Sequence, residues 1–226
     1  MLLRLLRFVP APGLLALTLG FAGCTTAPRE PLNLSTAKQA VVRYVESGGY
    51  ERDLAAVAAR ASAWLEERAG RRGPNERLAV VFDIDETVLS SYAHMETMDF
   101  GYEVEAWHAW IARAEGTAIK PVREVYHTAR RLGIDVIFLT GRKDARDRAG
   151  TEANLRREGM GEYARLIMAP ADGQQLTAAQ RKAAARAALG FEGHTIVASI
   201  GDQQSDLEGG HAERTFKLPN PFYLVP

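Results

Sequence analysis

Val80-Val81-Phe82-Asp83-Ile84-Asp85-Glu86-Thr87 is an apolar run rich in β-branched residues that stops at two aspartates spaced i and i+2. Such a run reads as a buried strand of a parallel sheet, and the spacing puts both carboxylates on one side of its carboxyl end. Carboxylates so placed repel each other unless something positive lies between or beside them. A hard cation such as Mg²⁺, shared with a substrate phosphate and water, meets that need. One aspartate is then free to attack phosphorus and the other to move a proton. The bland alternative is a solvated acidic turn, and the rest of the chain has to separate the two.

Outward from this stretch, strands and helices alternate. Strands are expected at 78–84, 135–139, 166–168 and 195–200, with an edge strand at 215–218. Helices are expected at 122–132 behind Pro121, at 144–158 closed by Gly159, and at 177–189 behind a capping Thr177. Two further helices precede the first strand, one starting at Ser35 or Thr36 and broken at Gly48-Gly49, the other with Leu54, Val57, Ala58, Ala61, Trp64 and Leu65 on one face. This pattern predicts an α/β fold, a parallel sheet between helical layers with an N-terminal helical extension. Ligands of open parallel sheets bind beyond the carboxyl ends of the strands. Asp83, Asp85, Thr140 and Asp202 all lie at such ends, so three separate strands bring polar groups to one edge.

Composition sets outer limits. The chain has 226 residues with 46% hydrophobic and 25% charged content, which suits one large domain with a small appendage or two small domains. Net charge is zero and no basic stripe is present, from which no nucleic-acid partner is expected. Arg4 and Arg7 precede a short apolar segment broken by Pro10 and Pro12, the pattern of a secretory signal over 1–23. Phe21-Ala22-Gly23-Cys24 resembles a bacterial lipobox with Phe where Leu is usual, which makes Cys24 the lipidated residue. Residues 24–34, with Pro28 and Pro31, then read as a tether, and 35–226 as the folded domain. These features predict a periplasm-facing lipoprotein of the cell envelope, with Thr25 favouring the outer membrane. Cys24 is the single cysteine, so no intrachain disulfide and no cysteine-based zinc site can form. Removing the signal leaves 26 basic against 28 acidic residues.

Four motifs follow in order: Asp83-Ile84-Asp85-Glu86-Thr87, Thr140-Gly141-Arg142, Lys182 on a helix, and Gly201-Asp202-Gln203-Gln204-Ser205-Asp206. Together they resemble the haloacid-dehalogenase (HAD) superfamily, and within it the subfamily IIIB secreted acid phosphatases, which include bacterial class B and class C enzymes and plant vegetative storage proteins. Gly49-Tyr50 with Asp53-Leu54, Thr151 with Asn154-Leu155, and Phe216-Lys217-Leu218-Pro219-Asn220-Pro221 are similar to the plant-like branch.

The resemblance implies a three-layer Rossmann-like core with a small helical cap and an Mg²⁺-dependent phosphatase acting on small phosphomonoesters, nucleotides among them. It implies Asp83 as nucleophile and Asp85 as acid and base. Mg²⁺ would be held by Asp83, Asp202 and the Asp85 backbone carbonyl. Thr140 and Gly141 would receive the phosphoryl oxygens, and Lys182 would supply a positive charge there. Asp206 would orient Lys182 or a metal-bound water. Arg142 stays open between touching phosphate and pairing with a surface acid.

The insert at about 90–120 is too short for a large cap. Its Tyr92, Phe100, Tyr102, Trp107 and Trp110 either pack it onto the core, the default, or form an aromatic lid. Two other functions are open on the same scaffold. Some plant storage relatives have lost the nucleophile, which this chain keeps as Asp83. A phosphotransferase would share the same intermediate and pass it to an alcohol. Oligomeric state is not legible.

Overall fold

The computed structural model describes residues 30–170 and 176–225. The expected signal and most of the tether, with Cys24, lie outside the described residues. Two helices come first, α1 (Leu34–Glu46) and α2 (Gly49–Gly70), and then the core alternates. Strand β1 (Arg77–Phe82) is followed by a short insert and by α5 (Lys120–Arg131). Next come β4 (Asp135–Lys143), α6 (Asp144–Arg157), β5 (Arg165–Ala169), α7 (Ala178–Phe191), β6 (His194–Gly201) and β7 (Arg214–Lys217). The insert contains β2 (Leu89–Ser90), α3 (Tyr92–Thr97), α4 (Val104–Arg113) and β3 (Thr117–Ala118), with β2 and β3 paired antiparallel. From Leu34 onward the chain forms one unit. No helix among the described residues is long and apolar enough to cross a membrane.

The five long strands form one parallel sheet in the order β5-β4-β1-β6-β7. β1 therefore sits in the middle, between the strands that end in Thr140-Gly141-Arg142 and in Gly201-Asp202. Strand parity divides its side chains between two cores. Leu78, Val80 and Phe82 face the larger cluster with α2 and α5, whereas Ala79 and Val81 face the smaller one with Leu189 of α7. The ladder continues one residue past the strand, where the Asp83 N–H donates to the Ile200 carbonyl at 3.0 Å. Parity thus aims Asp83 at α7, the helix that carries Lys182.

Burial on both faces explains why β1 is apolar from Leu78 to Phe82 rather than alternating. Helix α7 begins with a full capping box: the Thr177 hydroxyl accepts from the Gln180 N–H at 3.2 Å, and the Gln180 side-chain oxygen accepts from the Thr177 N–H at 2.9 Å. β4 runs four residues beyond its expected end at Leu139, so the second motif belongs to the strand itself.

Candidate active site

Asp83 is 7% exposed and Lys182 6%. The Lys182 ammonium donates to Asp83 Oδ1 at 2.5 Å and also to Asp206 Oδ1. The other oxygen of Asp206 accepts from the Gln203 N–H at 2.8 Å, so both its oxygens are committed and it acts as a brace for the lysine. Burial pulls the Lys182 pKa down, but the two carboxylates outweigh it and hold the ammonium charged. Arg186, one turn on, is fully buried and donates to the carbonyls of Asp206, Glu208 and Gly210, which shapes the turn after the last motif.

Oxygens of Asp83, Asp202 and Asp206 lie within 4.8 Å of one another. Burial, with Asp206, Asp202 and Asp85 adding to it, raises the Asp83 carboxyl well above its usual range despite Lys182. Asp202 is raised for the same first reason, with Asp206 next. Among the described residues this is the group able to hold a metal, and it offers carboxylate oxygen alone, without sulfur or imidazole. Buried, mutually repelling and oxygen-only, the donor set fits Mg²⁺. Asp206 joins the cluster with one donor already on each oxygen, Lys182 on one and the Gln203 N–H on the other.

Arg142 pairs with an acid, as one of its two open readings had it, but with a site acid rather than a surface one. It is 3% exposed, and its guanidinium forks onto Asp85, with Nε 3.1 Å from each carboxylate oxygen and Nη2 2.6 Å from Oδ1. Nη1 donates to Thr151 at 3.0 Å. The acid that Arg142 pairs with is thus the site residue Asp85, held in a forked geometry. Thr140 is buried, and its hydroxyl accepts from the Arg142 N–H at 3.1 Å while keeping its own proton to donate. A side chain on Gly141 would meet open space.

Beside Asp85 a cavity of about 430 Å³ is lined by His94, Phe100, Tyr102, Trp107, Phe222 and Tyr223 among others. The insert aromatics thus divide. Trp110 is buried as a packing residue, while Phe100, Tyr102 and Trp107 form a wall. Trp107 stacks on Trp110 with centroids 5.2 Å apart. Helix α4 is docked on α6: His108 Nδ1 lies 2.6 Å from Asp147, and a Cβ on Gly150 would collide with the Ile111 carbonyl.

Several of these residues carry no local signal in the sequence. Glu86 is fully buried at a left-handed φ of 53° and accepts from Ser91 and from the Tyr223 hydroxyl. Burial, then Asp85, pushes its carboxyl up to about 8. Asn220 and Gln203 both donate to Asp202. Both lie inside stretches that resemble the family, yet only the folded chain shows what they touch.

The family described as HAD superfamily, subfamily IIIB (Acid phosphatase) matches residues 26–226. Acid phosphatase 1 of Solanum lycopersicum is 32% identical over 189 residues, covering 82% of this chain and 73% of the relative. Stem 28 kDa glycoprotein of Glycine max is 40% identical over 153 residues, covering 64% of this chain; the match spans 59% of that relative's length. The class C acid phosphatase from Bacillus anthracis with tungstate bound shares the fold, with a TM-score of 0.68 at 21% identity, over 84% of this chain and 86% of that one.

One expectation is corrected. A chain of the Pnkp1/Rnl/Hen1 complex, an RNA repair assembly, shares the fold with a TM-score of 0.51 at 18% identity, over 66% of this chain and 47% of that one. The fold is therefore not confined to proteins without nucleic-acid partners. The exclusion drawn from the missing basic stripe is withdrawn. At that identity the likeness speaks for the fold and assigns this chain no partner.

Proposed function

The chain belongs to the HAD superfamily, subfamily IIIB, of acid phosphatases, and we propose that it hydrolyses phosphomonoesters with Mg²⁺ through an aspartyl-phosphate on Asp83. The observation that carries this reading is the alignment of Asp83 with Lys182 on one side and Asp202 on the other at the ends of adjacent strands. Asp83 and Asp202 would hold the ion, with the Asp85 carbonyl as a further oxygen. When bound, Mg²⁺ would offset the charge gathered on the phosphoryl oxygens and on Asp83. The Asp83 oxygen attacks phosphorus as the ester P–O bond breaks. Asp85, oriented by Arg142, gives its proton to the leaving oxygen. It then takes a proton from the water that attacks phosphorus and releases Asp83. Lys182 and the Thr140 hydroxyl receive the phosphoryl oxygens.

The aromatic cavity beside Asp85 lies where a leaving group would sit. Its size and ring content favour an aryl or nucleoside leaving group over a small alkyl one. The reading extends to location: a signal over 1–23, lipidation at Cys24 and a tether to residue 34 would hold the domain (35–226) at the periplasmic side of the envelope, on the outer membrane. Labelling with a radioactive fatty acid, compared with Cys24→Ser, tests the anchor.

Hydrolysis of an aryl phosphate, with Mg²⁺ and with chelator, beside Asp83→Asn, tests the chemistry. Metal-dependent release that vanishes in the variant is expected. Normal turnover by folded Asp83→Asn would refute the nucleophile assignment.

A further inference from the structure

Segment 220–225 crosses the site as a strap, and two side-chain amides tie it to one carboxylate oxygen. Asn220 Nδ2 donates to Asp202 Oδ2 at 2.7 Å, and Gln203 Nε2 donates to the same oxygen at 2.6 Å. The far ends of both amides hold the strap's backbone. Asn220 Oδ1 accepts from the N–H groups of Phe222 at 2.8 Å and Tyr223 at 3.3 Å. Gln203 Oε1 accepts from the Val225 N–H at 3.0 Å. The amide orientations are fixed by this pattern, because an oxygen must face each N–H and an NH₂ must face the carboxylate.

Two consequences follow from the geometry. Asp202 Oδ2 is saturated by donors, while Oδ1 has only the Thr87 hydroxyl at 3.2 Å, so Oδ1 is the oxygen left for a cation. The strap residues Phe222 to Val225 line the cavity beside Asp85, so one wall of the leaving-group cavity hangs on a metal ligand. We propose that Asn220 and Gln203 are positioning residues that couple cation occupancy at Asp202 to the order of the 222–225 wall. With no cation, Asp202 faces Asp83 and Asp206 and gains from moving away. A cation on Oδ1 pins the carboxylate, the carboxylate pins both amides, and the amides pin the strap. Linkage makes the coupling reciprocal: a leaving group that orders the wall tightens Mg²⁺.

This inference rests on the divalent-cation reading of the site but not on turnover. The test follows amide hydrogen exchange of the 221–225 peptide in the full chain, with Mg²⁺ and with chelator, for wild type, Asn220→Ala and Gln203→Ala. Calorimetry establishes Mg²⁺ binding in each. Mg²⁺ is expected to slow exchange in wild type by about 5-fold, and each variant at saturating Mg²⁺ to lose most of that slowing. Weakened Mg²⁺ affinity in either variant is the reciprocal expression of the coupling and supports it. Unchanged exchange in wild type, or full slowing in both variants, overturns it. Should Asn220→Ala fail to fold, Gln203→Ala decides alone, since it keeps the turn at Asn220. A wild type that binds no Mg²⁺ overturns coupling and metal reading together. Metal-dependent protection without phosphate release overturns only the phosphatase reading.

Discussion

At the phosphoryl end of the site, Asp83, Thr140 and Asp202 leave from three adjacent strands, and the hydrogen bonds between strands set their spacing. At the leaving-group end, Tyr102 and Trp107 come from an insert and Phe222 and Tyr223 from a segment more than a hundred residues later. The first end is held by the backbone of the sheet. The second is held by side chains: Arg142 on Asp85, His108 on Asp147, Tyr223 on Glu86. Damage to the first should therefore remove chemistry, and damage to the second should change selectivity or local order.

After the loss expected of Asp83→Asn, the largest effect is expected from Asp85→Asn, which keeps the shape but not the proton. Its turnover should fall by about 10²–10⁴-fold. A single-turnover burst of alcohol without matching phosphate would show the trapped aspartyl-phosphate, whereas release of both at the wild-type rate would remove Asp85 from both half-reactions.

Next comes pH. The Glu86 carboxyl rises from 4.5 unfolded to about 8 folded, through burial first. A group raised in the folded state stabilises it fully below its unfolded value and loses that contribution as pH climbs through the folded one. With chelator present, thermal stability should decline between pH 4.5 and about 8, by an amount on the order of a few kcal/mol. Glu86→Gln should flatten that decline, and an equally steep profile in the variant would assign it to other groups.

Gly150→Ala probes the docking of α4 on α6. The added methyl would meet the Ile111 carbonyl, and overpacking of this kind costs about 1–3 kcal/mol. A urea melt reads it, and a variant as stable as wild type would show that α4 yields easily.

The smallest effect is expected from Trp107→Ala, which should raise KM for an aryl phosphate by about tenfold, or ~1.4 kcal/mol, while leaving a small alkyl phosphate unchanged. Equal losses on both substrates would mean that the tryptophan serves structure rather than the leaving group.

The same division explains what could be read in advance. Alternation of strands and helices, and acids at strand ends, are periodic and local, so the sheet, Asp83, Asp85 and Asp202 were legible in the sequence. Lys182 was legible through its place in the motif order, and parity along β1 accounts for it physically. Arg142 was not, because its partner lies 57 residues away and nothing near it announces an acid. The strap escaped for the same reason: Asn220 sits among prolines like any loop residue, and its meaning depends on Asp202, 18 residues earlier. The insert aromatics are identical in type whether they pack or line a cavity. Only α4's contact with α6 turns Trp110 inward and leaves Trp107 on the wall.

The bond between Lys182 and Asp83 closes over 99 residues of chain. During synthesis from the N-terminus, Asp83 at the end of β1 emerges long before α7 exists to neutralise it, and Asp202 and Asp206 emerge later still. The catalytic edge is thus among the highest-contact-order parts of the molecule. A nascent chain holding β1, β4 and β5 has a sheet to build on and Arg142 to pair with Asp85, but no countercharge for Asp83. Chemistry is assembled last, once α7 and β6 arrive, so a ribosome-bound fragment that stops short of α7 would be folded in part yet unable to form the site.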